Sequence, residues 1–479
     1  MAIAKPPGVF GRTVEWESLV EFIESSGGAK LALVYGRRRQ GKTLLLQELS
    51  SRLDGFYWQA IEQSGTQNLA SFSAAWSIHS GATTPIRFND WAEAFRAVFS
   101  SLRDRVTPVV IDEVGYLIDA VPELPSIVQA LLAPLDAGRS KVRLILCGSS
   151  FGQMRRLVDA QAPLRGRANL ILVIRPFSYR ESASFWGLDS NPDAAFCLHA
   201  LIGGTPAYRN LADATPVRGD IRAWAIRRLL DPRSPLFAEG HIVVNEDVAL
   251  GDRQLYWGVL AGLAAGHERR RDLAAVLGKP ETSLSHALDV LSEAGWIDRV
   301  ADPLHGRRSR YRVSEPIVRT WRLLVEPRAA RLETGGPTQS ARVWDESEPL
   351  INSRIYGPHL ERLAGEWLMF HVEPQLIGGS VDAVGSSEIR LGSERAQVDL
   401  VATSVTAAGG RDVLVVGEVK ATRRPVGPAE LLRLDEIAGA VAPAARRLIV
   451  ARGGFTAPLR QVASRRSDVI LVDLARLYA

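Results

Sequence analysis

Three clusters of residues have the types and spacings that chemistry requires. The first is Gly36-Arg37-Arg38-Arg39-Gln40-Gly41-Lys42-Thr43, which fits G-x-x-x-x-G-K-[ST]. Glycines let backbone N–H groups curl around phosphate oxygens, and a helix starting inside the run adds positive potential. Lys42 would reach the outer phosphates, the Thr43 hydroxyl would bind Mg²⁺, and Leu44 completes the set expected at the nucleotide. The second cluster is Val109-Val110-Ile111-Asp112-Glu113, an apolar run ending in two carboxylates. Asp112 would orient Mg²⁺ through its water shell and Glu113 would polarise an attacking water, so the pair favours ATP hydrolysis over a simple nucleotide switch. The third is Asp399, in Gln397-Val398-Asp399-Leu400-Val401, with Glu418-Val419-Lys420. Period two places Glu418 and Lys420 on one strand face. Asp399 and Glu418 on neighbouring strands can clamp Mg²⁺, or Mn²⁺, through oxygen, while Lys420 orients or activates water. Glu361, on a preceding helix, could supply a further acid.

A fourth pattern is a decoy. Gly148-Ser149-Ser150-Phe151-Gly152 matches G-x-S-x-G and follows a strand. A serine nucleophile there needs a downstream acid and histidine, and nothing supports His199 or His241 in that role. Ser149 instead ends the strand beside the acidic pair, where a polar residue can sense the γ-phosphate.

The elements that must position these groups are legible as periodicity. Runs at 30–36, 56–60, 108–114 and 142–147 read as buried strands, with helical patterns at 42–52, 91–102 and 124–137 between them. That alternation predicts a parallel sheet covered on both faces over residues 1–178. Residues 179–250 read as a helical appendage, broken at Gly203-Gly204-Thr205-Pro206. Residues 251–326 read as helix (271–278), turn, helix (281–294), then two short strands flanking a basic turn, the plan of a winged helix-turn-helix. Thr282, Ser283, Ser285 and His286 would face a DNA major groove, and Arg307, Arg308, Arg310 and Arg312 would lie along phosphates. A protein-binding winged helix fits that pattern equally well. Residues 327–356, polar and rich in turn formers, read as a linker. Residues 357–479 open with a helix near 358–370, followed by strands at 397–403, 413–420, 447–451 and 469–472. The fold class is therefore α/β: a parallel sheet with a helical lid, a winged helix, and a second, smaller α/β domain.

Composition sets the outer bounds. The 479 residues are 46% hydrophobic and 23% charged, which excludes a largely disordered or fibrous chain. Two cysteines, Cys147 and Cys197, cannot build a disulfide framework or a four-cysteine zinc site. The first residues carry no apolar leader core, and no apolar run reaches membrane-span length, so a cytoplasmic protein is expected. The net charge of +5 is small for this length. Between Arg299 and Arg322, however, seven arginines stand against two acids, a local basic segment.

With these residues in view, the first ~250 positions resemble the P-loop ATPases of the AAA+/STAND group common in prokaryotes. The matching pieces are Phe10-Gly11-Arg12, GRRRQGKT, VVIDEV (the Walker B pattern), LILCGSS, PLRGR, RPFSYRE and GGTPAY. The resemblance implies that Phe10, Gly11 and Arg12 lie near the adenine. It also makes Arg165 and Arg167 candidates for a sensor or trans-acting arginine, the latter requiring a homo-oligomer. The C-terminal part resembles PD-(D/E)xK nucleases, which implies Glu361, Asp399, Glu418 and Lys420 as a cleavage site acting on nucleic acid, DNA in the first instance. Gln397 stands where many relatives have glutamate. The competing expectation is a regulatory or signalling ATPase whose C-terminal domain binds DNA or protein and cuts nothing.

Overall fold

The apolar runs of the N-terminal third become a parallel sheet because both faces of each are buried. The computed structural model describes residues 3–479 except 103, 133–139, 213–218, 247–251, 307 and 408. Its first sheet contains β1 (Lys30–Tyr35), β2 (Phe56–Gln59), β3 (Thr107–Asp112), β4 (Val142–Gly148) and β5 (Ala168–Val173). The order is β2-β3-β4-β1-β5 with every neighbouring pair parallel. Along β1, Leu31, Leu33 and Tyr35 enter one core while Ala32 and Val34 enter the other. Parallel strands all end at one edge, and that edge gathers the loop after β1 and the ends of β3 and β4. The edge strand β5, only partly buried, was not among the expected strands. The helix expected at 124–137 is seen as Leu124–Leu131, and its continuation lies outside the described residues.

Helices follow, including Tyr179–Phe185, Pro192–Ile202 and Pro235–Asn245, in the segment termed the lid. Helices Arg270–Leu277 and Glu281–Glu293 then precede an antiparallel hairpin of β6 (Ile297–Ala301) and β7 (Ser309–Val313). Gly278, at φ 60°, supplies the left-handed residue that ends the first of these helices.

The expected linker is a correction. Residues 327–356 are helical, including Ala329–Glu346 and a π-helical stretch Ile351–Tyr356. Leu332, Val343, Trp344, Ile351 and Ile355 are buried in the largest core. Gly336, at φ 62° and ψ −169°, and Pro337 do act as breakers, but they divide the segment into two helical pieces instead of leaving it a linker, because each piece has apolar residues to bury.

After helix Gly357–Phe370 comes a second sheet of β8 (Ala383–Leu391), β9 (Glu394–Val405), β10 (Arg411–Lys420), β11 (Arg446–Ala451) and β12 (Val469–Asp473), in the order β12-β11-β10-β9-β8. Strands β8, β9 and β10 pair antiparallel, and β10, β11 and β12 pair parallel. One face carries its own helix Pro428–Val441, and the other contributes Leu400, Ala402, Val415 and Leu448 to the core shared with the lid. No helix among the described residues is long and apolar enough to cross a membrane.

Candidate functional site

The loop after β1 is built for close backbone approach. Arg39 and Gly41 both adopt left-handed conformations, at φ 70° and 83°. Gly36 must be glycine, since a Cβ there would sit 2.2 Å from the Ile174 carbonyl oxygen. The Lys42 ammonium is buried and donates to the carbonyls of Gly36 (2.8 Å) and Arg37 (3.0 Å), so the cation is held over the loop. Leu44, in contrast, is an exposed first-turn residue, for which the structure shows no role at the loop.

Of Phe10, Gly11 and Arg12, Arg12 touches this loop, while Phe10 and Gly11 lie against Phe177. Arg12 donates to the Gln40 carbonyl (3.0 Å) and stacks over Phe177 at 4.6 Å, and Phe10 packs between Phe177 and Phe185. Gln40 donates to the Thr205 hydroxyl (3.0 Å), which joins the loop to the GGTPAY segment of the lid.

At the end of β3, Asp112 is fully buried and its carboxylate is fully engaged. Oδ1 accepts from the Glu113 amide (2.8 Å), while Oδ2 accepts from the Thr43 hydroxyl (2.8 Å) and the Tyr57 hydroxyl (2.7 Å). Thr43 donating to Asp112 leaves its oxygen lone pairs free. A hydroxyl and a carboxylate are the hard oxygen donors that Mg²⁺ takes, so these residues fit that ion. Glu113 accepts from the Ser149 hydroxyl at 2.9 Å. Ser150 caps helix Phe151–Arg156 by accepting from the Gln153 amide, an ordinary structural use of the decoy serine.

The side chains of the three loop arginines all have partners within the protein. Arg37 pairs with the buried Glu315 at 2.6 Å and lies 5.0 Å over Trp296. Arg38 meets the Tyr116 hydroxyl and is 3.9 Å from Glu246. Arg39 pairs with the buried Glu239 and, at 3.4 Å, with Glu246. Their side chains therefore tie the loop to the lid and middle unit, leaving backbone amides and Lys42 for phosphate. A cavity of about 240 Å³ opens between Arg37, Arg38, Glu113, Ser149, Glu246 and Trp296.

Arg165 and Arg167 are placed elsewhere. They precede β5, whose first residue lies opposite Leu31, five residues before Gly36, about 16 Å away along the strand. Within one chain they stand at the far edge of the sheet from the loop. Arg165 donates to the Ala160 carbonyl instead.

In the middle unit, Thr282, Ser283 and His286 are exposed, while Ser285 accepts from Arg270 at 3.1 Å. Arg307 lies outside the described residues, and Arg308 is exposed. Arg310 and Arg312 face inward. They pair with Glu268 and Asp298, each at 3.4 Å, and line a cavity of about 1460 Å³ between the ATPase region, middle unit and C-terminal domain. The hairpin that should reach outward is docked on β8. Asp302 meets Ser387, Arg269 meets Glu388, and Arg411 donates to the Pro303 carbonyl at 3.1 Å.

That cavity also receives Glu361, Gln397 and Asp399. The β9–β10 register, which sets Leu400 opposite Gly417, brings Asp399 beside Glu418. Asp399 Oδ2 accepts from the Val419 amide (3.0 Å), and Lys420 donates to Glu418 Oε1 (2.6 Å). Burial and then the Glu418 charge push the Asp399 carboxyl up to about 6. Burial, with Asp399 and Glu268 nearby, pushes Glu361 up to about 8. Among the described residues no three His, Cys, Asp or Glu side chains are disposed to hold a metal together, so Glu361 does not join Asp399 and Glu418 in one ligand set.

Spacing could not have flagged Tyr57, Tyr116, Glu239, Glu246, Glu315 and Trp296, which lie on or beside elements distant from the loop in sequence. Tyr57 in particular sits in an aromatic strand, Phe56–Gln59, that reads simply as core.

Comparison with known proteins adds to this geometry. A family described as an ATPase domain predominantly from Archaea matches residues 9–194. Protein MJECL04 of Methanocaldococcus jannaschii is 22% identical over 367 residues, covering 75% of this chain and 76% of that one. Among solved structures, the Walker-type ATPase PABY2304 of Pyrococcus abyssi aligns with a TM-score of 0.51 at 20% identity. The match covers 67% of this chain and 99% of that chain. The Aeropyrum pernix ORC2 protein, in its ADPNP–ADP complexes, aligns at 0.40 and 14% identity over 73% of this chain and 98% of its own. The N-terminal α/β unit thus matches an ATPase-domain family and shares its fold with a Walker-type ATPase.

Proposed function

We propose that this ATPase domain gates a metal-dependent phosphodiesterase, built in the C-terminal domain and acting on nucleic acid. At the first site, loop amides and Lys42 would bind the ATP phosphates, Thr43 and Asp112 would hold Mg²⁺, and Glu113, bonded to Ser149, would take the proton from the attacking water. Mg²⁺ bound there would neutralise phosphate charge. The arginines beside Lys42 pair with acids of the lid and middle unit, so a change at the phosphates is felt by both.

The observation that carries the nuclease reading is the side-by-side placement of Asp399 and Glu418 on antiparallel strands, with Lys420 bonded to Glu418. Two carboxylates suffice for Mg²⁺ or Mn²⁺, which keep several waters, and Lys420 stands close enough to orient one of them. The helix-turn-helix and hairpin, read as a winged helix, would present Thr282, Ser283 and His286 to DNA in the cytoplasm. Arg310 and Arg312 would become available for phosphates only when the hairpin leaves its seat on β8. Arg165 or Arg167 would approach a nucleotide only from a neighbouring copy in a homo-oligomer.

A second reading is favoured by a specific observation: two of the hairpin arginines, Arg310 and Arg312, are already paired with Glu268 and Asp298. In that reading the chain is a regulatory ATPase that cuts nothing. Incubating supercoiled plasmid and single-stranded RNA with Mg²⁺ or Mn²⁺, with and without ATP, separates the two. Nicking by wild type that Asp399→Ala and Lys420→Ala both lose supports the nuclease. ATP hydrolysis without cleavage of either substrate supports the regulatory ATPase.

A further inference from the structure

Tyr57 is the one hydroxyl on Asp112 that the nucleotide-binding motifs do not account for. It lies on β2, where Tyr57 pairs with Val110 and Gln59 with Asp112, so Tyr57 and Asp112 point from neighbouring strands to the same face of the sheet. That face is covered by helix Lys42–Arg52, whose first turn brings Thr43 to the same carboxylate oxygen. The two hydroxyl donors on Oδ2 differ in their further duties. Thr43 also faces the loop, whereas Tyr57 approaches from within the sheet, where the buried Cys147 of β4 closes the other side. The Tyr57 hydroxyl donates to Asp112 Oδ2 at 2.7 Å.

We propose that Tyr57 is a positioning residue for the Mg²⁺-dependent part of nucleotide binding, acting through Asp112. A buried carboxylate that must orient metal-bound water needs a fixed rotation and a lone pair that is not too basic, and a phenol donor on Oδ2 adds to both. Without Tyr57, Oδ2 would keep the Thr43 hydroxyl as its single hydroxyl donor, with Oδ1 on the Glu113 amide. This assignment rests on the nucleotide site and is independent of the C-terminal reading.

The test is fluorescence titration of full-length protein with a mant-labelled ADP, in EDTA and in millimolar Mg²⁺, for wild type, Tyr57→Phe, Asp112→Asn and the double variant. Wild type binds more tightly when Mg²⁺ is present. In Tyr57→Phe that gain is expected to shrink about 10-fold or more, the size typical of removing a partner that orients a metal-site residue. Affinity in EDTA should stay unchanged. In the Asp112→Asn background, Tyr57→Phe should add no further loss. Three outcomes would overturn the proposal: an undiminished Mg²⁺ gain, an equal loss with and without Mg²⁺, or additive effects in the double variant. If Tyr57→Phe melts far below wild type, the comparison within the Asp112→Asn background, between two proteins of matched stability, decides instead.

Discussion

Arg37 shows how one side chain in a phosphate loop can carry a structural charge pair. Its guanidinium meets Glu315, a carboxylate buried between the lid and the start of helix Pro316–Thr320, and burial raises that carboxyl above its ordinary range. Removing one member of a buried pair leaves a desolvated charge behind, which costs about 3–5 kcal/mol, while neutralising both is far milder. Arg37→Ala should therefore destabilise the protein by about 3 kcal/mol in urea unfolding, the lower end because Arg362 also acts on Glu315. Arg37→Ala with Glu315→Gln should recover a large part. A double variant no more stable than Arg37→Ala would show that Arg37 acts by packing on Trp296 alone.

At the level of elements, the lid helix Pro192–Ile202 and the C-terminal helix Gly357–Phe370 meet through a buried pair of histidines. His199 Nδ1 and His359 Nε2 are 2.9 Å apart. Burial, reinforced by Arg362, pushes His199 down to about 3 and His359 well below its usual value. A base whose folded value is depressed stabilises the fold above its ordinary 6.5, and that contribution is lost as pH falls, because the unfolded chain binds the protons first. The loss is at most about 1.4 kcal/mol per pH unit for each histidine. Melting at pH 7 and pH 5 should show a steeper fall for wild type than for His199→Gln. Equal falls in the two proteins would mean that the pair opens to water and protonates in place.

Considered as a whole, the molecule has one large core running from Tyr179 to Leu477 through lid, middle unit, kinked helix and C-terminal sheet. Polar ties follow the same route. Gln40 holds Thr205, Arg452 holds Asp193 on the lid, and both the Tyr179 hydroxyl (3.0 Å) and the Arg180 guanidinium (2.9 Å) donate to the Leu477 carbonyl. The RPFSYRE segment is thus a clamp on the C-terminal helix Leu474–Tyr478. A shared core makes these regions melt together. Trypsin should cut at Arg328, Arg331 and Arg342 no faster than overall unfolding allows, read by mass spectrometry of timed digests. Rapid cutting there in folded protein would restore the linker.

The chemistry of the nucleotide site was legible from residue order alone, because a phosphate loop is a local device. Glycines that permit positive φ, a lysine at the helix start and a carboxylate pair closing a strand all act through adjacent backbone. The strands around them were legible too, since burial on both faces writes an apolar run, and so was the pairing of Glu418 with Lys420, which needs only period two. What stayed hidden depends on contacts between distant segments. The partners of Arg37, Arg38 and Arg39, the Tyr57 hydroxyl on Asp112 and the inward turn of Arg310 and Arg312 have no signature in spacing. The helical pieces on either side of Gly336-Pro337 form against helix Ile221–Arg228 and the stretch Trp321–Val325, which offer their apolar residues a surface. Local sequence determined which groups could do chemistry; tertiary packing decided which charges are free to do it, because a buried charge takes whatever partner the fold brings within reach.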